Sequence, residues 1–175
     1  MRLPADATLI LIDAAAPGER RAALEADSPA AKVASLLAAW RREGLPIVTS
    51  RSHAPGEAQA APIQGERLGE HAVAQRALSA FDGSGLEGLL EEIGATTLVL
   101  CGAAAKVEPS ARDAAALGYQ VYVVADACAG ADDLAALAAL APDTAALADA
   151  AQTLAAAGMA KFRQRWKAER ARQGG

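Results

Sequence analysis

Thr8-Leu9-Ile10-Leu11-Ile12-Asp13 is the stretch that decides the fold. A strand with one wet face alternates apolar and polar side chains, and this run stays apolar until it stops. It therefore reads as a strand buried on both faces, the kind found where helices cover a parallel sheet from either side. An aspartate closes it, and a carboxylate ending a buried strand calls for a reason.

The same alternation of short apolar strand and helix extends outward. Residues 14–27 read as a loop carrying Pro17 and Gly18. Ser28-Pro29 predicts an N-cap with proline in the first turn, ahead of Val33, Leu36, Leu37 and Trp40 at helical spacing, with Gly44 as the stop. Leu45 to Ser50 is a second strand. Residues 51–70 show no periodicity and read as a lid or edge loop. His71 to Leu78 is a weak third strand, Gly85 to Ile93 a short helix closed by Gly94, and Thr96 to Cys101 a buried strand ending at Gly102. Ser110 to Leu117 is predicted helical, closed by Gly118, and Tyr119 to Ala125 is a fifth strand ending in Asp126. The remainder reads as alanine-rich helix broken at Pro142, with a second break at Gly158. No internal repeat and no domain boundary stands out. The expected architecture is a single α/β domain over residues 1–175, a three-layer α/β/α sandwich on a mostly parallel sheet of five or six strands joined by right-handed crossovers. Ligands of such sheets sit beyond the carboxyl ends of the strands. That makes Asp13, Ser50 to His53, Gly102 to Lys106 and Asp126 the positions of interest.

Composition narrows the function. The chain has 175 residues, 53% apolar and only 3% aromatic, so its core must come from Leu, Val, Ile and Ala rather than from rings. A net charge of −4 argues against general nucleic-acid binding. No apolar run approaches the roughly 20 residues of a membrane span, and the first residues lack the pattern of a secretory signal. Two cysteines make no disulfide framework, so a cytoplasmic location is expected.

Several motifs, taken in order, resemble one family. They are Ser79-Ala80-Phe81, Gly83 and Leu86, Thr97-Leu98-Val99-Leu100-Cys101-Gly102, Val107-Glu108-Pro109-Ser110-Ala111-Arg112-Asp113-Ala114, Leu117-Gly118-Tyr119, and Val124-Ala125-Asp126-Ala127-Cys128. Their order and spacing, over about residues 7 to 130, are similar to the isochorismatase-like cysteine hydrolases, which include nicotinamidases and N-carbamoyl-amide hydrolases. The resemblance implies a hydrolase with a cysteine at a helix start, a lysine on the third strand and an aspartate ending the first. The thiolate attacks a carbonyl or imine carbon, the aspartate relays the proton, and backbone N–H groups hold the oxyanion.

Carried over by position, Asp13 matches the aspartate, the alternative being a carboxylate that caps a turn. The lysine position falls on Gln75, which carries no charge; Arg76, one residue on, points to the opposite face of a strand. Anchoring on Val107 to Ala114 puts Lys106 at the cysteine position, with about two residues missing after Gly102; an ungapped count would put Glu108 there. Either way no thiol is present. Cys101 and Cys128 read as core residues. Lys106 is left with three readings: a relic neutralised by Asp13, a contact for an anionic ligand, or an amine nucleophile. His53, Phe81, Ala103 and Ala104 are expected to line the crevice.

In family members that hold a metal, an Asp-x-His lies near the second strand. Here Arg51-Ser52-His53 replaces that carboxylate with a cation, so no metal and no other cofactor is expected. Arg112 and Asp113 read as a structural ion pair. The tail over 159–175 is basic, with Phe162 and Trp166 four apart, and reads as a terminal helix that docks on the body or on a second subunit rather than on RNA or a membrane. A sixth family strand would be expected in that region, where the sequence reads as helix. Taken together, the leading expectation is a family member that has lost cysteine-based hydrolysis and binds a small ligand or pairs with its own or a related subunit. The alternative is an amide or C–N hydrolase with a non-thiol site on Asp13 and Lys106.

Overall fold

The structure, a computed structural model, describes residues 3–4, 6–14, 27–52, 70–130, 134–140 and 144–158. Its strands are β1 (Thr8–Ile12), β2 (Ile47–Ser52), β3 (Glu70–Gln75), β4 (Thr97–Ala103), β5 (Gln120–Ala129) and β6 (Ala146–Ala148). Its helices are α1 (Pro29–Glu43), α2 (Leu86–Ile93), α3 (Ala104–Ala116), α4 (Leu134–Ala138) and α5 (Ala150–Gly158). All neighbouring strands pair in parallel, in the order β3-β2-β1-β4-β5-β6. Both faces are covered: α1 packs with α5 on one side of β5, and α3 with α4 on the other.

Burial follows the apolar runs. Every residue of β1 is buried, and Leu9, Ile10 and Ile12 meet Leu98 and Leu100 of β4 with no solvent exposure. Full burial of such a side chain contributes about 1.5–3 kcal/mol, so the β1–β4 centre is where the fold gains most. Trp40 of α1 lies fully buried, and its indole N–H donates to Ala7 O at 3.0 Å, which satisfies the ring's single polar atom. At the start of α1, Ser28 accepts from Ala31 N at 3.2 Å; at its end Gly44 takes φ 57° in the left-handed region. Both ends therefore stop as predicted.

The strand order reverses between β1 and β4, and this switch point sets the position of the crevice. Here β4 comes very close to β1. A Cβ built on Gly102, whose φ is +130°, would lie 2.0 Å from the carbonyl oxygen of Ile12, so only glycine fits. The β4–β5 pairing shifts register between Leu100 and Gly102, which carries Gly102 opposite Cys128.

Two predicted elements are corrected. The helix expected from Ser110 begins at Ala104, directly after β4, so Lys106 lies in its first turn. Pro109 lies inside this helix, and the carbonyl it leaves without an amide partner, one turn back, belongs to exposed Ala105. The alanine-rich stretch read as helix broken at Pro142 contains β6, where Ala146, Leu147 and Ala148 pair with Tyr122, Val123 and Val124. The sheet thus has its sixth strand, earlier in the chain than expected. The basic tail at 159–175 lies outside the described residues. No helix among the described residues is long and apolar enough to cross a membrane.

Candidate functional site

The site forms where β1, β2 and α3 meet. Asp13 follows β1 directly and has φ 43°, a left-handed conformation that aspartate tolerates better than most residues. Its backbone N–H still reaches Ser50 O at 2.9 Å, so the chain turns while remaining tied to β2. That turn directs the carboxylate to the end of β2. Oδ1 accepts from Ser52 N at 2.7 Å and Oδ2 from the Ser52 hydroxyl at 2.6 Å. Lys106 completes the cluster from α3, donating from Nζ both to Asp13 Oδ2 and to Ser52 Oγ.

The electrostatics follow from these contacts. Burial alone would raise the Asp13 carboxyl, but hydrogen bonds from Lys106 and Ser52 and the lysine's charge outweigh it and hold the group below its ordinary value. Asp13 is therefore an anion with its acceptor sites largely used. The Lys106 and Asp13 side chains are 21% and 24% exposed, so the pair lies at the mouth of the crevice rather than sealed inside.

Gln75, at the end of β3, is buried and polar, and all of its hydrogen-bonding groups are committed. Its carbonyl oxygen accepts from Ser50 Oγ at 3.1 Å, and its amide donates to Ala77 O and Leu78 O at 2.8 and 2.7 Å. It holds the chain leaving β3, and Arg76 after it is exposed, as expected. Ser110, fully buried one turn beyond Lys106, donates to Lys106 O at 2.6 Å and accepts from Ala80 N at 2.8 Å. This serine joins the 79–81 segment to α3.

The remaining predicted positions separate. Ala103 and Ala104 form the β4–α3 junction; Ala103 is half-buried and Ala104 buried, so a ligand would meet mainly backbone N–H there. Phe81 is not brought to the cluster. Its ring meets Tyr119 at 6.3 Å between centroids, and Tyr119 immediately precedes β5 at the amino end of the parallel strands, whereas Asp13 lies at their carboxyl end. His53 lies outside the described residues. Arg112 pairs with Glu108 one helical turn back, not with Asp113.

Neither cysteine reaches the crevice. Cys101 is wholly buried in β4, where burial and then Cys128 push its thiol well above the ordinary value. Cys128 is also buried, donates to Val124 O at 3.3 Å, and is pushed up to about 11, chiefly by burial, with a Gly102 N–H opposing. At neutral pH both are thiols, not thiolates. No three His, Cys, Asp or Glu side chains converge among the described residues, and Arg51, at the position of the family carboxylate, has a buried Nε with no hydrogen-bond partner.

Ser52 lay within the span of interest, Ser50 to His53, but sequence reading gave it no role. Its partners lie 39 and 54 positions away, and only the sheet order brings them together.

An all-parallel α/β sandwich with an Asp–Lys–Ser cluster at its switch point belongs to the class of open α/β folds that take ligands beyond the carboxyl ends of their strands. A family profile described as the Isochorismatase domain matches residues 9–152, and the chain belongs to that family. Solved structures agree. A putative isochorismatase-family hydrolase from Chromobacterium violaceum is similar at 29% identity and TM-score 0.71, covering 90% of this chain and 97% of that one. N-carbamoylsarcosine amidase from Thermoplasma acidophilum shares the fold at 23% identity and TM-score 0.68, covering 83% and 96%. The zinc complex of Pyrococcus horikoshii pyrazinamidase does so at 22% and 0.67, covering 82% and 99%.

Proposed function

We propose that this chain is an isochorismatase-family protein without cysteine-based hydrolysis, whose crevice binds a small amide or carbonyl compound. One observation carries the reading. Lys106 occupies the position that the resemblance gives to the nucleophile and is spent as the donor of an ion pair with Asp13, while both thiols are buried and protonated. An ammonium engaged in this way has no lone pair to offer a carbonyl. Gln75 supports the same reading, because a neutral amide committed to backbone carbonyls cannot supply the charge of a third-strand lysine. Copies of this chain, or a related subunit, are the partners the reading allows.

The test is an assay of the purified chain against amides, N-carbamoyl amides and isochorismate, alongside thermal-shift measurements with the same compounds. N-carbamoylsarcosine and pyrazinamide head the panel because structural neighbours carry those names. Stabilisation by a panel member without turnover is expected. Turnover that resists cysteine alkylation but disappears in Asp13→Ala would overturn the reading in favour of a non-thiol hydrolase built on Asp13 and Lys106. In that case borohydride trapping should show whether Lys106 forms an imine.

A further inference from the structure

We propose that Ser52 is an acyl acceptor: its hydroxyl attacks the carbonyl carbon of activated acyl compounds, with Asp13 as base and Lys106 as the cation beside the developing oxyanion. The inference rests on the site described above but not on the ligand proposed for it. Ser52 ends β2 and is exposed, whereas Cys101 and Cys128 are buried and Lys106 is engaged. Its O–H already points at Asp13 Oδ2 over 2.6 Å, and its N–H to Oδ1 over 2.7 Å fixes the residue at a second point. Lys106 Nζ touches both Ser52 Oγ and Asp13 Oδ2. A nucleophile, a base and a cation in mutual contact are the parts acyl transfer requires.

In the first step the Oγ–C bond forms as the bond to the leaving group breaks. The leaving group departs as an anion with the bonding pair, and the serine proton passes to Asp13 Oδ2 along the existing hydrogen bond. Asp13 releases that proton to solvent. Water then attacks the ester; Asp13 takes a proton from the water and returns it to Ser52 Oγ, and the carboxylic acid leaves. The base sets the substrate class. A carboxyl held below its usual range cannot strip the hydroxyl ahead of attack. The substrate must therefore carry a leaving group stable as an anion, as in an aryl ester, thioester or acyl phosphate, rather than a plain amide.

The experiment treats the full chain with p-nitrophenyl acetate, quenches in acid and maps the product by peptide mass spectrometry. A single acetyl on Ser52, removable by alkaline hydroxylamine, is the expected result. Ser52→Ala should lose it, and Asp13→Asn should acetylate about ten-fold more slowly or worse. Hydroxylamine-resistant acetyl on Lys106, absence of both acetylation and nitrophenolate release, or wild-type labelling in Ser52→Ala would overturn the proposal. Should Ser52→Ala not fold, the map of the wild-type chain decides alone. The thermal-shift test of ligand binding reads a separate property and can succeed or fail independently.

Discussion

Asp13 and Asp126 invite comparison, since each lies toward the carboxyl end of a strand in the same sheet and each meets a lysine from a helix. Lys106 of α3 serves the first, and Lys32 of α1 serves the second at 3.2 Å. The third partner differs. Asp126 Oδ1 accepts from the backbone N–H of Ala150, the first residue of α5, at 2.8 Å, so this carboxylate joins α1, β5 and α5 through groups with no chemistry of their own. It also answers the positive end of a helix dipole. Asp13 instead shares its charge with a hydroxyl open to solvent. The same Asp–Lys pair is a structural tie in one place and a candidate site in the other, and the difference lies in what completes the coordination.

The comparison breaks most visibly if position 106 is closed to solvent. Lys106→Cys would place a thiol in the first turn of α3, where the helix N-terminus lowers a thiol's pKa. Under native conditions its alkylation by iodoacetamide should exceed that of Cys101 and Cys128 on the order of a hundred-fold or more, because those two must wait for local opening. Adding Gln75→Lys should raise the rate further by restoring a cation. A thiol at 106 as slow as the native pair would mean that the crevice does not open there, and both functional proposals would fall with it.

How far the sequence foretells this arrangement depends on whether a signal is local. The apolar runs of β1, β4 and β5, the Ser28 cap and the Gly44 stop are local, and each appears where its pattern predicts, except that β5 runs on through Asp126 to Ala129. Asp13 and Lys106 were legible from position, one by its place after a buried strand and the other by alignment to the Val107–Ala114 motif. Three things were not. Alanine has no side chain to mark a face, so β6 was hidden until its pairing with β5 revealed it. The start of α3 was read at Ser110 rather than Ala104, because the alanines ahead of it mark no apolar face. Ser52 carries no motif at all, and its importance comes from contacts set by the order of strands.

Stability sharpens the comparison at a smaller scale. Asp13→Ala removes the acceptor of Ser52 N–H, Ser52 O–H and Lys106 together, and alanine also fits φ 43° poorly; a loss of about 2–3 kcal/mol is expected. Asp13→Asn keeps the backbone preference and separates the two causes. Asp126→Ala loses a helix-capping contact and a partly exposed ion pair, for about 1–2 kcal/mol. Urea denaturation of the three variants checks the order. Equal losses in the two alanine variants would mean that the Asp13 cluster is no more than a second structural tie.

The smallest effect is in pH. Asp13 has its folded-state pKa below the ordinary value of 3.8, because the Lys106 and Ser52 interactions outweigh the burial that opposes them. A depressed carboxyl adds stability that is fully present well above 3.8 and is lost as pH falls through that value toward the folded one. Within this acid window the unfolded state binds more protons than the folded state, so stability climbs with pH, and Asp13 supplies part of the slope. Asp13→Asn cannot titrate and should flatten the slope below about pH 4 while leaving the curve above pH 5 parallel to wild type. Lys106→Met should flatten it too, since removing the cation leaves burial less opposed and lifts the Asp13 carboxyl toward its unfolded value. If Lys106→Met kept the full acid slope, the depression would owe to Ser52 rather than to the lysine. The ion pair would then be the lesser element of the cluster, and the likeness between Asp13 and Asp126 would end at geometry.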